Sequence, residues 1–255
     1  MEQSRIALIT GATAGIGEAT AIQLAEAGYR LILTGRRAER LQNLAQRLRT
    51  AYGVDVLELC FDIRDRKATR AAVADLPADW RAIDVLVNNA GLSQGLEPVH
   101  MGSEEDWDTM FDTNVKGLLT MSKAIGKIMV ERGSGHIINV SSTAAKDVYA
   151  NGAVYCASKQ AVEAITKVLR LELHVYGIKV SSIAPGMADT EFSEVRFKGD
   201  RERAAQVYKG FEPLHATDIA EAIWFMINRP AHVNIADLII MPTAQAASGV
   251  VKKQL

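Results

Sequence analysis

Short apolar runs alternate with longer amphipathic ones along all 255 residues, and few architectures accommodate that rhythm. A run of four to eight residues with no polar face has to be buried on both sides, which is the situation of a parallel strand covered by helices above and below. Such runs fall near Ile6–Thr10, Arg30–Thr34, Asp55–Cys60, Val85–Asn88, His136–Val140, Lys179–Ala184 and Leu238–Met241. Between them apolar residues recur at three- and four-residue steps, most clearly over Gly15–Ala27, Arg37–Ala51, Glu104–Arg132 and Gly152–Tyr176, which predicts helices. Gly28, Gly53, Gly133 and Gly177 stand where these helices should stop. The expected fold class is α/β: a single-domain, Rossmann-type, doubly wound parallel sheet of about seven strands with helices on both faces. No Pro/Gly/Ser-rich linker, internal repeat or block of charge divides residues 1–255. One long stretch without periodicity, about 185–210, follows a strand end and is expected to form a lid.

A net charge of −1 leaves no electrostatic footprint for nucleic acid or an anionic membrane, so a small-molecule partner is expected. The N-terminus enters the first strand almost at once, without the charged, apolar and cleavage segments of a signal peptide. No apolar run approaches the roughly 20 residues that span a bilayer. These observations predict a cytoplasmic protein that engages no membrane. Cys60 and Cys156 form neither a metal-binding spacing nor a disulfide framework; both are expected to be reduced core thiols, and no metal site is expected.

The first strand ends in Thr10-Gly-Ala-Thr-Ala-Gly-Ile-Gly17 and passes straight into a helix beginning Glu18-Ala-Thr20. Glycines in such a turn let backbone N–H groups approach a ligand closely, and the helix N-terminus beside them favours negative charge. Gly11, Thr13, Gly15, Ile16 and Gly17 are therefore candidate contacts for the pyrophosphate of a dinucleotide. Three residues separate the first two glycines, unlike the G-x-G-x-x-G spacing of many dinucleotide folds. The run also lacks the Gly-Lys-Ser/Thr ending of a triphosphate loop, which disfavours a kinase or ATPase. The second strand leads into Gly35, Arg36 and Arg37, where NAD-selective folds place an acidic residue on the ribose. Two guanidinium groups suit a doubly charged 2′-phosphate, so NADP is predicted over NAD; the plainer alternative is that they start an exposed helix. Asp62, just past the third strand, is a candidate acceptor for the adenine amino group, set against an ordinary turn role.

Tyr155 and Lys159 lie four residues apart on a predicted helix, so they share a face, about 5–6 Å apart at Cβ. A free tyrosine titrates near pH 10, too high to take a proton from an alcohol readily, and a neighbouring ammonium favours its phenolate. Tyr155 so tuned by Lys159 would be an acid in carbonyl reduction and a base in alcohol oxidation. Ser142 follows the strand ending at Val140, at the carboxyl end of the sheet where open α/β folds place ligands, and its hydroxyl is a candidate to bind and polarise a substrate oxygen. Ser141 competes for that role.

In these residues the chain resembles the short-chain dehydrogenase/reductase family over essentially its whole length. The matching elements are Thr10-Gly11-x-x-x-Gly15-Ile16-Gly17, Asn88-Asn89-Ala90-Gly91, Asn114, Ser142, Tyr155-x-x-x-Lys159, and Pro185-Gly186 with Thr190. The resemblance implies that Asn89, Ala90 and Gly91 steady the sheet and line the adenosine side. It implies that Asn114 holds a water linking Lys159 to solvent in a proton relay, that Lys159 bonds the nicotinamide ribose, and that Pro185, Gly186 and Thr190 meet the carboxamide. It also implies a homotetramer joined through the helices over Glu104–Arg132 and Gly152–Tyr176 and through the last strand.

Within the family the chain is similar to NADP-dependent 3-hydroxy acid dehydrogenases, which act on serine, L-allo-threonine or malonic semialdehyde. The segments that carry this likeness are Leu33–Arg37, Ile83–Gly91, Thr190–Asp200 and Pro230–Asn234. The third puts Arg196 and Lys198 in the expected lid, where a cation can clamp a small anionic alcohol or aldehyde as the loop closes. Arg196 is the candidate for the acid group, with Tyr149 a second donor. A guanidinium pairs with sulfonate as it does with carboxylate, so a sulfoacetaldehyde reductase forming isethionate is the close alternative. Two further readings are a reductase of a bulky neutral carbonyl, which the charged lid disfavours, and a non-catalytic dinucleotide-binding regulator, which the presence of Tyr155, Lys159 and Ser142 disfavours. The end of the chain departs from the family's glycine-rich closing turn, and Pro242 with the tail to Leu255 is expected against a neighbouring subunit.

Overall fold

The structure is a computed structural model and describes residues 4–254. The first half of the chain runs β1 (Ile6–Thr10), α1 (Gly15–Glu26), β2 (Arg30–Gly35), α2 (Ala38–Tyr52), β3 (Val56–Cys60), α3 (Arg66–Ala74) and β4 (Ile83–Asn88). It continues through α4 (Glu104–Phe111), a π-helical turn (Asp112–Gly117), α5 (Leu118–Arg132), β5 (Gly135–Val140), α6 (Ala153–Leu173) and β6 (Ile178–Pro185). The stretch expected to form a lid follows as β7 (Ala188–Asp189), α7 (Phe192–Arg196) and α8 (Arg201–Val207), and the chain closes with β8 (Leu214–His215), α9 (Ala216–Ile227), β9 (Asp237–Ile240), β10 (Gln245–Ala247) and β11 (Val250–Val251).

Seven strands form one parallel sheet in the order β3-β2-β1-β4-β5-β6-β9. Alternate residues of each strand face opposite ways, and two cores result. Ala7, Ile9, Leu31, Leu33, Val85 and Val87 pack with Leu24 of α1, Leu48 of α2 and Ile223 of α9. Ile6, Leu8, Ile32, Leu86, Ile137 and Val180 meet Val73 of α3 and Met121, Ile125 and Met129 of α5 on the other face. The strand order reverses between β1 and β4, and the crevice at their carboxyl ends is where a doubly wound sheet binds ligands.

The fold departs from the sequence expectations in three places. The helix expected over Glu104–Arg132 contains the wide π turn, which swings Asn114 inward. Segments α3 and α9 supply the remaining crossovers expected between strands; α3 begins at an Asp65 cap and α9 at a capping box between His215 and Asp218. The stretch read as irregular, about 185–210, holds two short helices. Cys60 is exposed rather than a core thiol, because β3 is an edge strand, while Cys156 is buried as expected.

His136 of β5 is buried, with Nε2 2.8 Å from Ser181 Oγ. Burial, reinforced by Lys179, pushes its pKa down from 6.5 to about 3. The unfolded chain therefore takes up a proton near neutrality that the folded chain refuses. This contribution is intact above about pH 6.5 and is lost as pH falls towards about 3, by up to roughly 1.4 kcal/mol per pH unit. The urea midpoint of His136→Gln should accordingly fall less steeply across that window than that of wild type; parallel curves would clear His136 of responsibility.

Candidate active site

The ends of β1 and β4 are tied together by Thr10 and Asn89. Thr10 Oγ1 accepts from the backbone N–H of Asn89 and of Ala90, both at 3.0 Å, and Asn89 Nδ2 donates to the carbonyls of Thr10 (2.9 Å) and Gly11 (3.1 Å). This clasp fits only because Gly11 and Gly17 lack side chains. Gly11 has φ +67°, and a Cβ there would lie 2.9 Å from Ala90 Cα; at Gly17 it would lie 2.4 Å from both Asn89 Nδ2 and the Gly11 carbonyl oxygen. Helix α1 starts at Gly15 behind Ala14, which offers no side-chain cap, so its first N–H groups remain available to an anion.

These groups open on a cleft of about 540 Å³ that brings together nearly all the residues predicted from sequence: Gly11, Thr13, Gly15 and Ile16; Arg36, Arg37 and Asp62; Asn89, Ala90 and Gly91; Ser142, Tyr149, Tyr155 and Lys159; Pro185, Gly186, Thr190 and Arg196. Gly17, under the Asn89 clasp, and Asn114, buried beside Gly91 and Leu92, stand behind the cleft and do not line it. A Cβ at Gly35 would meet Thr13 Cγ2 at 2.7 Å, so a side chain at this strand end would have to displace Thr13. Asp62 faces the cleft with its carboxylate engaged by Arg64 (2.7 Å) and approached by Arg36 (3.7 Å). An uncapped helix end, a glycine cradle and two cleft-lining guanidiniums together suit a phosphorylated dinucleotide.

Asn114 is 1% exposed, and both of its amide hydrogens are used: Nδ2 donates to the Leu92 carbonyl (2.8 Å) and Ser158 Oγ (3.0 Å), while Oδ1 accepts from Leu92 N–H (2.8 Å). It thereby stitches the loop after β4, the π turn and α6 into one unit. A Cβ on Gly91 would be 3.3 Å from both Asn114 Oδ1 and Lys159 Nζ, so the bare glycine lets these two polar groups close in. Lys159 Nζ donates to the Val140 carbonyl at 2.9 Å and lies 6.0 Å from the Tyr155 ring centre. Burial pushes Lys159 down to about 8, against the nearby Glu163.

Tyr155 sits in the first turn of α6 and is pushed up to about 12 by burial, opposed by the neighbouring Ser142 hydroxyl and by the Arg196 guanidinium. The opposing cation is thus Arg196, where the helix spacing had suggested Lys159. Ser142 takes the position beside Tyr155; Ser141 is buried on the Glu163 side. In the lid, Arg196 Nη2 donates to Tyr149 Oη at 3.0 Å, and its guanidinium stands 5.4 Å from the Tyr155 ring centre and 5.1 Å from that of Phe192. Its Nε is buried with no partner among the described residues. Lys198 points elsewhere, pairing with Asp106 at 2.9 Å outside the cleft.

Three participants escaped the sequence. Phe192 leans on Tyr155 at 5.5 Å between ring centres. Gln245 accepts from Met187 N–H at 2.8 Å and fills the space a side chain at Gly186 would need, so the tail pins the start of the lid. The tail runs along its own chain, with Gln254 N–H donating to the Gly210 carbonyl at 2.7 Å. Arg40 joins Arg37 at the edge of the cleft, and both hold Glu191 of the lid. Nothing but long-range proximity marks any of these residues.

A family model described as short chain dehydrogenase matches residues 5–201. The chain is 50% identical over 245 residues to the NADP-dependent 3-hydroxy acid dehydrogenase YdfG of Salmonella typhi, spanning 96% of this chain and 97% of that protein. It is 44% identical to sulfoacetaldehyde reductase 2 of Chromohalobacter salexigens, spanning 96% and 97%. A solved structure of the closed form of serine dehydrogenase complexed with NADP+ superposes with a TM-score of 0.91 at 46% identity, covering 98% of this chain and 100% of that one.

The environment of Tyr155 is directly measurable. A tyrosinate difference titration of wild type against Tyr155→Phe, without added nucleotide, should show no ionisation of Tyr155 below about pH 10. A transition near neutrality would mean that Lys159 already activates the phenol in the free protein.

Proposed function

The chain belongs to the short-chain dehydrogenase/reductase family, and we propose that it is an NADP-dependent oxidoreductase acting on a small acid-bearing alcohol or the matching carbonyl compound. The observation that carries this reading is the placement of Arg196: a guanidinium with a buried, unpaired Nε, next to Tyr149 Oη and over the Tyr155 ring. A cation in that place binds and orients an acid group while holding the neighbouring carbon near Tyr155 and Ser142. A bulky neutral substrate would leave it uncompensated.

The N-terminus of α1 with Gly11, Thr13, Gly15, Ile16 and Gly17 would take the pyrophosphate, Arg36 and Arg37 the 2′-phosphate, and Asp62, Asn89, Ala90 and Gly91 the adenosine side. Lys159 would bond the nicotinamide ribose, and Pro185, Gly186 and Thr190 the carboxamide. The bound nicotinamide supplies or accepts the hydride. Ser142 binds the substrate oxygen. Tyr155 Oη, a phenol at neutral pH in this environment, donates its proton to that oxygen in reduction and takes it back in oxidation. Lys159 and Asn114 support the proton's route: Lys159 is buried yet close to its titration range, and Asn114 fixes the Leu92 backbone and Ser158 around it. Similarity to 3-hydroxy acid dehydrogenases and a serine dehydrogenase supports a 3-hydroxy acid such as serine, L-allo-threonine or 3-hydroxypropionate. Similarity to a sulfoacetaldehyde reductase keeps a sulfonate in the same role. A homotetramer is supported by exposed apolar side chains at Val168 and Leu171 on α6, Leu119 on α5 and Ile239 on β9.

Oxidation of L-serine, L-allo-threonine, 3-hydroxypropionate, isethionate and a neutral alcohol, each with NADP and with NAD, tests the reading as a whole. NADP-dependent turnover of an acid-bearing alcohol is expected; turnover of the neutral alcohol alone, or with NAD alone, would overturn the substrate or the cofactor assignment respectively. Arg196→Met should raise KM for the acidic substrate roughly 10- to 100-fold, the cost of a lost charged hydrogen bond, and leave that of a neutral alcohol nearly unchanged. Tyr155→Phe should keep cofactor binding and lower kcat by on the order of 10²- to 10⁴-fold.

A further inference from the structure

The lid carries a carboxylate to the cations at the adenosine end of the cleft. Glu191 lies between Thr190, which abuts Gly15, and Phe192, which leans on Tyr155. Its Oε2 accepts from Arg37 Nη1 at 2.8 Å and its Oε1 from Arg40 Nη1 at 2.5 Å. The other donors of Arg37 go to Thr13, with Nε 3.2 Å and Nη2 2.9 Å from its Oγ1. Nearby, Arg36 approaches Asp62 at 3.7 Å. The guanidiniums that suit a 2′-phosphate thus already have counter-ions supplied by the chain itself.

A carboxylate and a phosphate monoester compete for the same forked donors. Glu191 is ionised at neutral pH, since the hydrogen bonds from Arg37 and Arg40 outweigh its burial and lower its pKa. Its ion pairs are half-exposed, hence weak, and a phosphate of nearly two charges can displace it. We propose that Glu191 is a cofactor-specificity residue: it occupies Arg37 and Arg40 in place of the 2′-phosphate, and a 2′-phosphorylated nucleotide displaces it while an unphosphorylated one leaves it in place. The inference rests on the NADP reading above. It makes the phosphate binding site and the lid one device. Discrimination between NADP and NAD is tempered by the carboxylate that the phosphate must evict, and eviction unfastens the lid beside the residue that leans on Tyr155.

The test uses the full chain and two nucleotides without nicotinamide, 2′,5′-ADP and 5′-AMP, bound to wild type and Glu191→Gln in a calorimeter. The glutamine keeps the shape and removes the charge. Its Kd for 2′,5′-ADP should tighten about three- to tenfold, as expected for relief of two weak ion pairs, with no change for 5′-AMP. Amide hydrogen exchange gives a second readout: 2′,5′-ADP, but not 5′-AMP, should speed exchange in Phe192–Arg196 of wild type, whereas in Glu191→Gln exchange there should already be fast. If wild type binds 2′,5′-ADP no better than 5′-AMP, the NADP reading fails and takes this proposal with it. If wild type prefers 2′,5′-ADP but the variant binds it equally or more weakly, or shifts both nucleotides alike, Glu191 does not compete with the phosphate and the proposal fails alone.

Discussion

The clasp between Thr10 and Asn89 is the constraint on which the rest of the site depends. Parallel strands leave their terminal carbonyls and N–H groups unpaired at the point where the chain order reverses, and buried polar groups of that kind need partners. Here a threonine hydroxyl and an asparagine amide supply four hydrogen bonds across the gap between β1 and β4. The requirement then propagates. Asn89 Nδ2 must reach the Gly11 carbonyl, so Gly17 can carry no side chain; with glycine there, α1 begins close against the sheet and its N-terminus faces the crevice. The same loop continues through Gly91 and Leu92 to Asn114, so the cradle for an anion and the support for Lys159 descend from one small network.

Burial sets the chemistry of the other half. Tyr155 and Lys159 are both nearly inaccessible, and desolvation acts on them in opposite directions, raising the phenol and lowering the ammonium. The free protein accordingly holds Tyr155 as a neutral acid. The cation nearest its ring is Arg196, which comes from the stretch after β6, so anything that draws that guanidinium away also changes the surroundings of the phenol.

The strands were legible because a strand buried on both faces must be an unbroken apolar run, and all seven runs became neighbours in one sheet. Tyr155, Lys159, Ser142 and the glycine turn were legible because each stands at a short, fixed spacing from a strand end or within one helix turn, and the cleft gathers them. What escaped has physical reasons. An edge strand and a central strand share a composition, so Cys60 looked buried. The π turn uses residues that read as ordinary helix. Gln245 meets Gly186 and Glu191 meets Arg37 across long stretches of sequence, and only the folded chain brings such pairs together.

The π turn at Asp112–Gly117 also sets how this part of the chain tolerates insertion and deletion. A regular helix advances about 100° per residue, so a wide turn acts as a built-in phase shift between α4 and α5. The two segments therefore present separately registered apolar stripes, one toward the loop beneath the lid and one toward the sheet. Removing a single residue there would merge them into one continuous screw. Asn114 would then rotate off Leu92 and Ser158, and the fault would be in helical phase, although every side chain needed for the site would still be present in the sequence.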